Sequence, residues 1–122
     1  MGSRPVRRVK SYSGETGIVY QYVFVSQRRA RRGWWRPGTE YLFDVSADRK
    51  TSFPVPVFIQ DDAVRSWEKA HGRPLSSNEQ YAAAKMRLFR AFDQNERLQE
   101  EAGGILVDAA LIEELLSALD IR

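Results

Sequence analysis

The chain has 122 residues, 43% hydrophobic and 29% charged, with a formal net charge of +3 and no cysteine. That length suits one domain around one core, read here as spanning 1–122, and the composition excludes a disordered or low-complexity chain. The missing cysteines exclude a disulfide framework, a thiolate metal site and a cysteine nucleophile.

No stretch approaches the ~18 consecutive apolar residues of a membrane span. The opening MGSRPVRRVK has no apolar run of the secretory kind, so no membrane span and a cytoplasmic location are expected. Residues 1–5 are read as a disordered lead or cloning remnant. The charge is unevenly placed. Residues 1–50 hold eleven basic and four acidic side chains, a balance of +7, and the remainder holds eight and twelve, a balance of −4. Such polarity suits an acidic partner for the first half.

In chain order, VRRVKSY (6–12) is a weak strand with basic residues on both faces, and SGETG turns the chain. IVYQYVFVSQ is the strongest strand signal: Ile18, Tyr20, Tyr22 and Phe24 share one face, and Val19, Val23 and Val25 the other. Apolar on both sides, it is expected to be a central strand. SQRRARRGWW reads as the connection that follows. Pro37 and Gly38 then carry the signature of a type II turn, with Gly38 at positive φ. TEYLFDVS returns with Tyr41, Phe43 and Val45 in phase, pairing with residues 18–27 as a hairpin.

FPVPVFI is the fourth strand, with Phe53, Val55, Val57 and Ile59 in phase. Pro54 and Pro56 lack amide hydrogens on the same side of the backbone, which predicts a sheet edge.

The period then becomes helical. Residues 61–71 form a first helix opened by Asp61 and Asp62 and closed by Gly72 and Pro74. A second starts at Ser76 and Glu79, which have capping-box spacing. It runs to about residue 98, burying Ala82, Met86, Phe89 and Phe92 with Tyr81 and Leu88, while Gln80, Ala83, Arg87, Arg90, Gln94 and Arg97 face water. After EEAGG, ILV is a short extended segment. Asp108 caps a last helix with Leu111, Ile112, Leu115, Leu116 and Leu119 on one side, inside an acidic segment spanning 99–122. The expected architecture is α+β: a four-stranded antiparallel sheet (ββββ) with two or three C-terminal helices packed on one face and a long basic hairpin projecting.

The candidate functional residues are Arg28, Arg29, Arg31, Arg32 and Arg36 with Trp34 and Trp35. Guanidinium groups neutralise phosphates and indoles stack on unpaired bases, which is the physical basis of sequence-tolerant nucleic-acid binding. Arg7, Arg8, Lys10, Arg49 and Lys50 extend this surface if the fold brings them to the same side. DNA and RNA are not distinguished at this level. The plainer alternative is a solvated hairpin in which one indole anchors the core and arginines stack on the other. An acidic protein partner suits the same residues, and an anionic membrane surface ranks behind it for want of a basic amphipathic helix. The leucine-rich last helix is a second candidate docking element, including for a homodimer. The acidic tail, opposite in sign, is a candidate cover for the hairpin.

No enzyme is expected: no nucleophile elbow or phosphate loop occurs. His71, the single histidine, suits a structural place at a helix end. Glu40 and Asp44 share a strand face but stand ~13 Å apart, too far to ligate one metal. No catalytic residue, cofactor or metal is assigned.

Overall fold

The computed structural model describes residues 8–32, 36–94, 98 and 105–122. Among these, the elements are β1 (Lys10–Ser13), β2 (Val19–Arg32), β3 (Arg36–Ser46), β4 (Phe53–Gln60), α1 (Asp61–His71), α2 (Ser77–Asp93), β5 (Ile105–Val107) and α3 (Ala109–Ala118). The architecture is α+β, as expected, with one addition. The ILV segment is a fifth strand, lying parallel to β4 from Val57↔Ile105 to Ile59↔Val107. The sheet order is the chain order, β1 to β5, and the first four strands are an antiparallel meander.

Period-two patterning sets the core face. Tyr20 and Tyr22 of β2, Tyr41, Phe43 and Val45 of β3, and Val55, Val57 and Ile59 of β4 are all buried, and the helices lie over them. Full burial of each such side chain contributes about 1.5–3 kcal/mol. Rings on α2 meet rings on the sheet: Phe92 stacks on Tyr20 at 4.2 Å, Phe89 on Tyr12 at 4.3 Å, and Tyr81 meets Phe24 edge-on at 5.0 Å. The Tyr12 hydroxyl donates to Asp93 Oδ2 at 2.7 Å, tying β1 to the end of α2.

The helix signals hold in detail. α1 begins with Asp61 and Asp62 and ends at Gly72, whose φ of 69° lets its amide reach the Glu68 carbonyl. The α2 capping box is complete: Glu79 N–H donates to Ser76 Oγ at 3.2 Å and Ser76 N–H to Glu79 Oε1 at 3.0 Å. At the start of α3, Asp108 Oδ1 accepts from Leu111 N–H at 2.9 Å.

Four expectations are corrected. β2 lies between two strands, as expected, only over Val19–Tyr22, where β1 pairs with it, and β3 is the strand flanked along its length. β4 is an edge only beside its prolines, because β5 joins it at Val57, just past Pro56, where amide hydrogens resume. The buried stripe of α2 keeps the expected Leu88 and Phe92 but is centred on Ala83, Ala84 and Ala91, with Tyr81, Met86 and Phe89 half-buried against the core, because small alanines let the helix approach the sheet closely. That helix ends at Asp93, with Gln94 as its cap.

A fifth correction concerns the turn. Pro37 and Gly38 lie inside β3, opposite Arg31 and Ala30 of β2, so the chain reverses between Arg32 and Arg36. Gly38 is there for space rather than for a positive φ. A Cβ at this position would sit 2.3 Å from the Ile59 carbonyl oxygen and 2.6 Å from the Phe58 ring. Phe58 has no exposed surface, yet it alternates out of phase with Val57 and Ile59 and lies on the sheet face away from the helices.

Candidate nucleic-acid interface

The arginine-rich stretch continues the sheet rather than forming a loop. Arg28, Arg29, Arg31 and Arg32 are the last rungs of β2, facing Glu40, Thr39, Pro37 and Arg36 of β3. A bulge between Phe24 and Ser26 decides which arginine faces which way. By inserting one residue it reverses the alternation, so Arg29 and Arg31 fall on the helix side, with Tyr41, and Arg28 on the opposite side, with Glu40. The expected projection is short, since β4 accompanies β3 as far as Gly38. Among the described residues, the rungs Arg31↔Pro37 and Arg32↔Arg36 extend past the three-stranded body.

The arginines therefore divide by their partners. Arg28 Nε donates to Glu40 Oε1 at 2.9 Å across the two strands. Arg29 makes a two-pronged pair with Asp61, the first residue of α1, and donates to Thr39 Oγ1 at 3.0 Å. Hydrogen bonding from Arg29 holds the Asp61 carboxyl below its usual range, and the carboxylate in return raises the guanidinium pKa. Arg31 and Arg36 are exposed and make no ion pair among the described residues. Arg32 and Arg36 occupy directly opposed positions in the final rung. Trp34 and Trp35 lie outside the described residues, so the structure does not place the expected stacking platforms.

Of the other cations, Arg49, Lys50 and Lys10 are not gathered here. Arg49 and Lys50 sit in the β3–β4 turn, at the far end of an 11-residue strand, about 35 Å from the arginine rungs. That turn is built on Asp48, which accepts from the amides of Lys50 and Thr51 at 2.8 and 2.9 Å and has its pKa lowered to about 2 by these and the Thr51 hydroxyl. Lys10 faces Tyr22 on the helix side, near Lys85, whose pKa is lowered first by burial and then by Lys10. Arg7 lies outside the described residues.

Among the described residues, the acidic side chains of the tail pair elsewhere than with the hairpin. Glu113 bonds His71 Nε2 at 2.7 Å, Glu114 bonds Arg90 at 3.0 Å, and Asp120 bonds Arg122 at 2.9 Å. The α3 stripe is packed internally at Ile112, Leu115 and Leu116, which are buried, while Leu111 is half-buried and Leu119 exposed. His71 also stacks on Trp67, centroids 4.1 Å apart, and the Arg73 guanidinium lies 4.7 Å from the same indole while pairing with Glu79. Among the described residues no group of three metal-ligating side chains converges, and no helix is long and apolar enough to cross a membrane.

The chain was compared with protein-family models, curated proteins and solved structures. None matches it. The functional reading therefore rests on the arginine rungs themselves. Sequence reasoning missed Glu40 and Asp61 as the partners that neutralise Arg28 and Arg29. The signal for Glu40 was available in the strand register, because a reversal between Arg32 and Arg36 sets it against Arg28. Asp61 carried no comparable signal, since only the packing of α1 beside β3 brings it to Arg29.

Proposed function

We propose that the protein is a small non-enzymatic nucleic-acid-binding module that grips phosphate with the end of its β2–β3 hairpin. The observation that carries this reading is the final rung, Arg32 opposite Arg36, with Arg31 one position behind and no carboxylate paired to Arg31 or Arg36 among the described residues. Like charges directly opposite one another on a ladder destabilise it, and a polyanion bound between them removes that penalty. Arg28 and Arg29, already paired, serve to hold the ribbon to the sheet and to α1. A two-stranded ribbon is narrow enough to enter a major groove. Trp34 and Trp35, beside these rungs in sequence, are the residues proposed to stack on unpaired bases.

The non-enzymatic part of the reading is supported by His71, whose ring is committed to Trp67 and Glu113. The test is titration of tryptophan emission with single- and double-stranded oligonucleotides at several salt concentrations. Trp67 is buried beneath His71 and Arg73, so a ligand-dependent change reports on Trp34 or Trp35. The expected result is affinity that falls steeply with salt and drops on Trp34→Ala or Trp35→Ala. No measurable affinity for either form at ~0.15 M salt, where nonspecific binders still reach micromolar to sub-millimolar Kd, would sink the proposal.

A further inference from the structure

The outer edge of β2 carries a second, different recognition surface. β1 is four residues long and pairs only with Val19–Tyr22, whereas β2 continues to Arg32. From Val23 to Arg32 this edge has no neighbouring strand among the described residues. Beyond the bulge, Ser26 to Arg32 pair with β3 without interruption, a regular line of about 23 Å in which every second residue turns its N–H and C=O outward. Ser26, Gln27, Arg28, Arg29 and Arg31 are all exposed. Long bare edges are normally shortened, covered or broken by proline; among the described residues beyond the bulge, charge alone guards this one.

The sign of that charge selects the occupant. Arg28 flanks the edge on one face of the sheet, paired with Glu40, and Arg29 and Arg31 flank it on the other, where Asp61 pairs with Arg29 and Arg31 has no carboxylate partner among the described residues, so an added strand meets a surplus of positive charge. A second copy of β2 would set arginine against arginine across the new ladder. The chain's own leading segment carries Arg4, Arg7 and Pro5, like-charged and short of one amide hydrogen. Nucleic acid offers no ladder of peptide N–H and C=O groups. We infer that the Ser26–Arg32 edge is a docking line for an extended acidic segment of another protein, which joins the sheet as an added strand. The backbone ladder would supply the geometry and the arginines the choice of partner.

This inference goes beyond the phosphate reading, because recognition here runs through main-chain amides. The experiment uses the full chain and an acetylated octapeptide of alternating glutamate and threonine. Three companion probes are the same peptide with alternate amides N-methylated, a lysine–threonine analogue, and an oligonucleotide. The readouts are affinity and site-resolved amide exchange. The expected result is that the acidic peptide binds, weakens about tenfold or more on N-methylation, and slows exchange at every second amide from Ser26 to Arg32. The lysine analogue should not bind.

Absent binding overturns the inference, and equal affinity of the N-methylated peptide does the same by leaving charge alone as the cause. An oligonucleotide that slows the same alternate amides to the same degree also overturns it. Slow exchange in the peptide-free protein counts against it whether it is released by removing residues 1–7, which identifies the chain's own segment, or accompanies a dimer in sedimentation, which identifies a second copy. Oligonucleotide affinity with those amides still exchanging fast leaves the phosphate reading to stand separately, so the two proposals fail by different observations.

Discussion

Replacing Gly38 with alanine tests the placement of the hairpin directly. The added Cβ would lie 2.3 Å from the Ile59 carbonyl oxygen and 2.6 and 2.9 Å from two atoms of the Phe58 ring, against ordinary contact at 3.4–4 Å. Relief requires a shift of about 1 Å at two places, one of them main chain in a paired strand, the other a ring with no exposed surface to retreat into. Overpacking of this kind costs about 3 kcal/mol, at the upper end of the usual range. For a domain of this size that lowers the melting temperature by roughly 10 °C.

Gly17→Ala is the control, since Gly17 has a φ of 92° but nothing within 4 Å of its Cβ position. It carries only the conformational penalty of about 1–2 kcal/mol. Gly38→Asn separates the strand placement from the turn signature, because asparagine suits a type II turn and is larger still than alanine in the strand. Urea denaturation followed by circular dichroism gives all three values. If Gly38→Ala and Gly38→Asn both lie within about 0.5 kcal/mol of the parent protein, as surface changes usually do, the packing argument is wrong.

The division of arginines by partner predicts unequal salt effects. Arg31→Ser with Arg36→Ser should reduce the slope of log K against log salt by about 1.4–1.8, while Arg28→Ser with Arg29→Ser should change it by less than about half as much; equal effects would contradict the division. Tyr12 has its pKa raised to about 12, mainly by its hydrogen bond to Asp93. Because the folded value is the higher one, this contribution is complete below the unfolded tyrosine value near ~10 and is lost as pH rises through the folded value. Burial also raises Tyr20, Tyr22, Tyr41 and Tyr81, so ultraviolet titration should show all the tyrosines ionising late, with one of them moving earlier in Asp93→Asn. At the acid side, Glu79 is lowered to about 2, first by Arg73 and then by the Ser76 amide, and Asp48 is lowered to about 2 by its turn amides. Their stabilisation is present above the ordinary carboxylate range and lost as pH falls through the folded values. Glu79→Gln and Asp48→Asn should each flatten the acid limb of a stability-versus-pH curve, and unchanged limbs would refute the assignment.

Much of the fold was legible because local signals and burial agree. The inward phases of Tyr20–Tyr22, Tyr41–Phe43–Val45 and Val55–Val57–Ile59 follow from period-two alternation alone, and the Ser76–Glu79 box and Gly72 stop are local hydrogen-bond chemistry. What misled were signals whose meaning depends on a neighbour. Pro37–Gly38 has the composition of a turn, but matching Phe24 with Phe43 and Gln27 with Tyr41 moves the reversal nearer the tryptophans and leaves the glycine as room for Phe58. The α2 stripe was drawn through the largest side chains, whereas alanines permit the closest approach. At the candidate site the arginines were evident from composition. Their separation into paired and unpaired members was not, because the one-residue bulge before Ser26 and the arrival of α1 beside β3 are tertiary facts.

The parallel union of β4 with β5 sets an order of assembly. The first four strands are neighbours in sequence and can zip together through short reversals, but Ile105–Val107 must return across 44 intervening residues that include α1 and α2. Ring closure over such a distance lowers conformational entropy before any contact compensates, so the two helices have to fold back first. Pulse-labelled amides along β2 and β3 should accordingly become protected earlier than those of Leu106 and Val107, making this short parallel strand the final seam of the molecule.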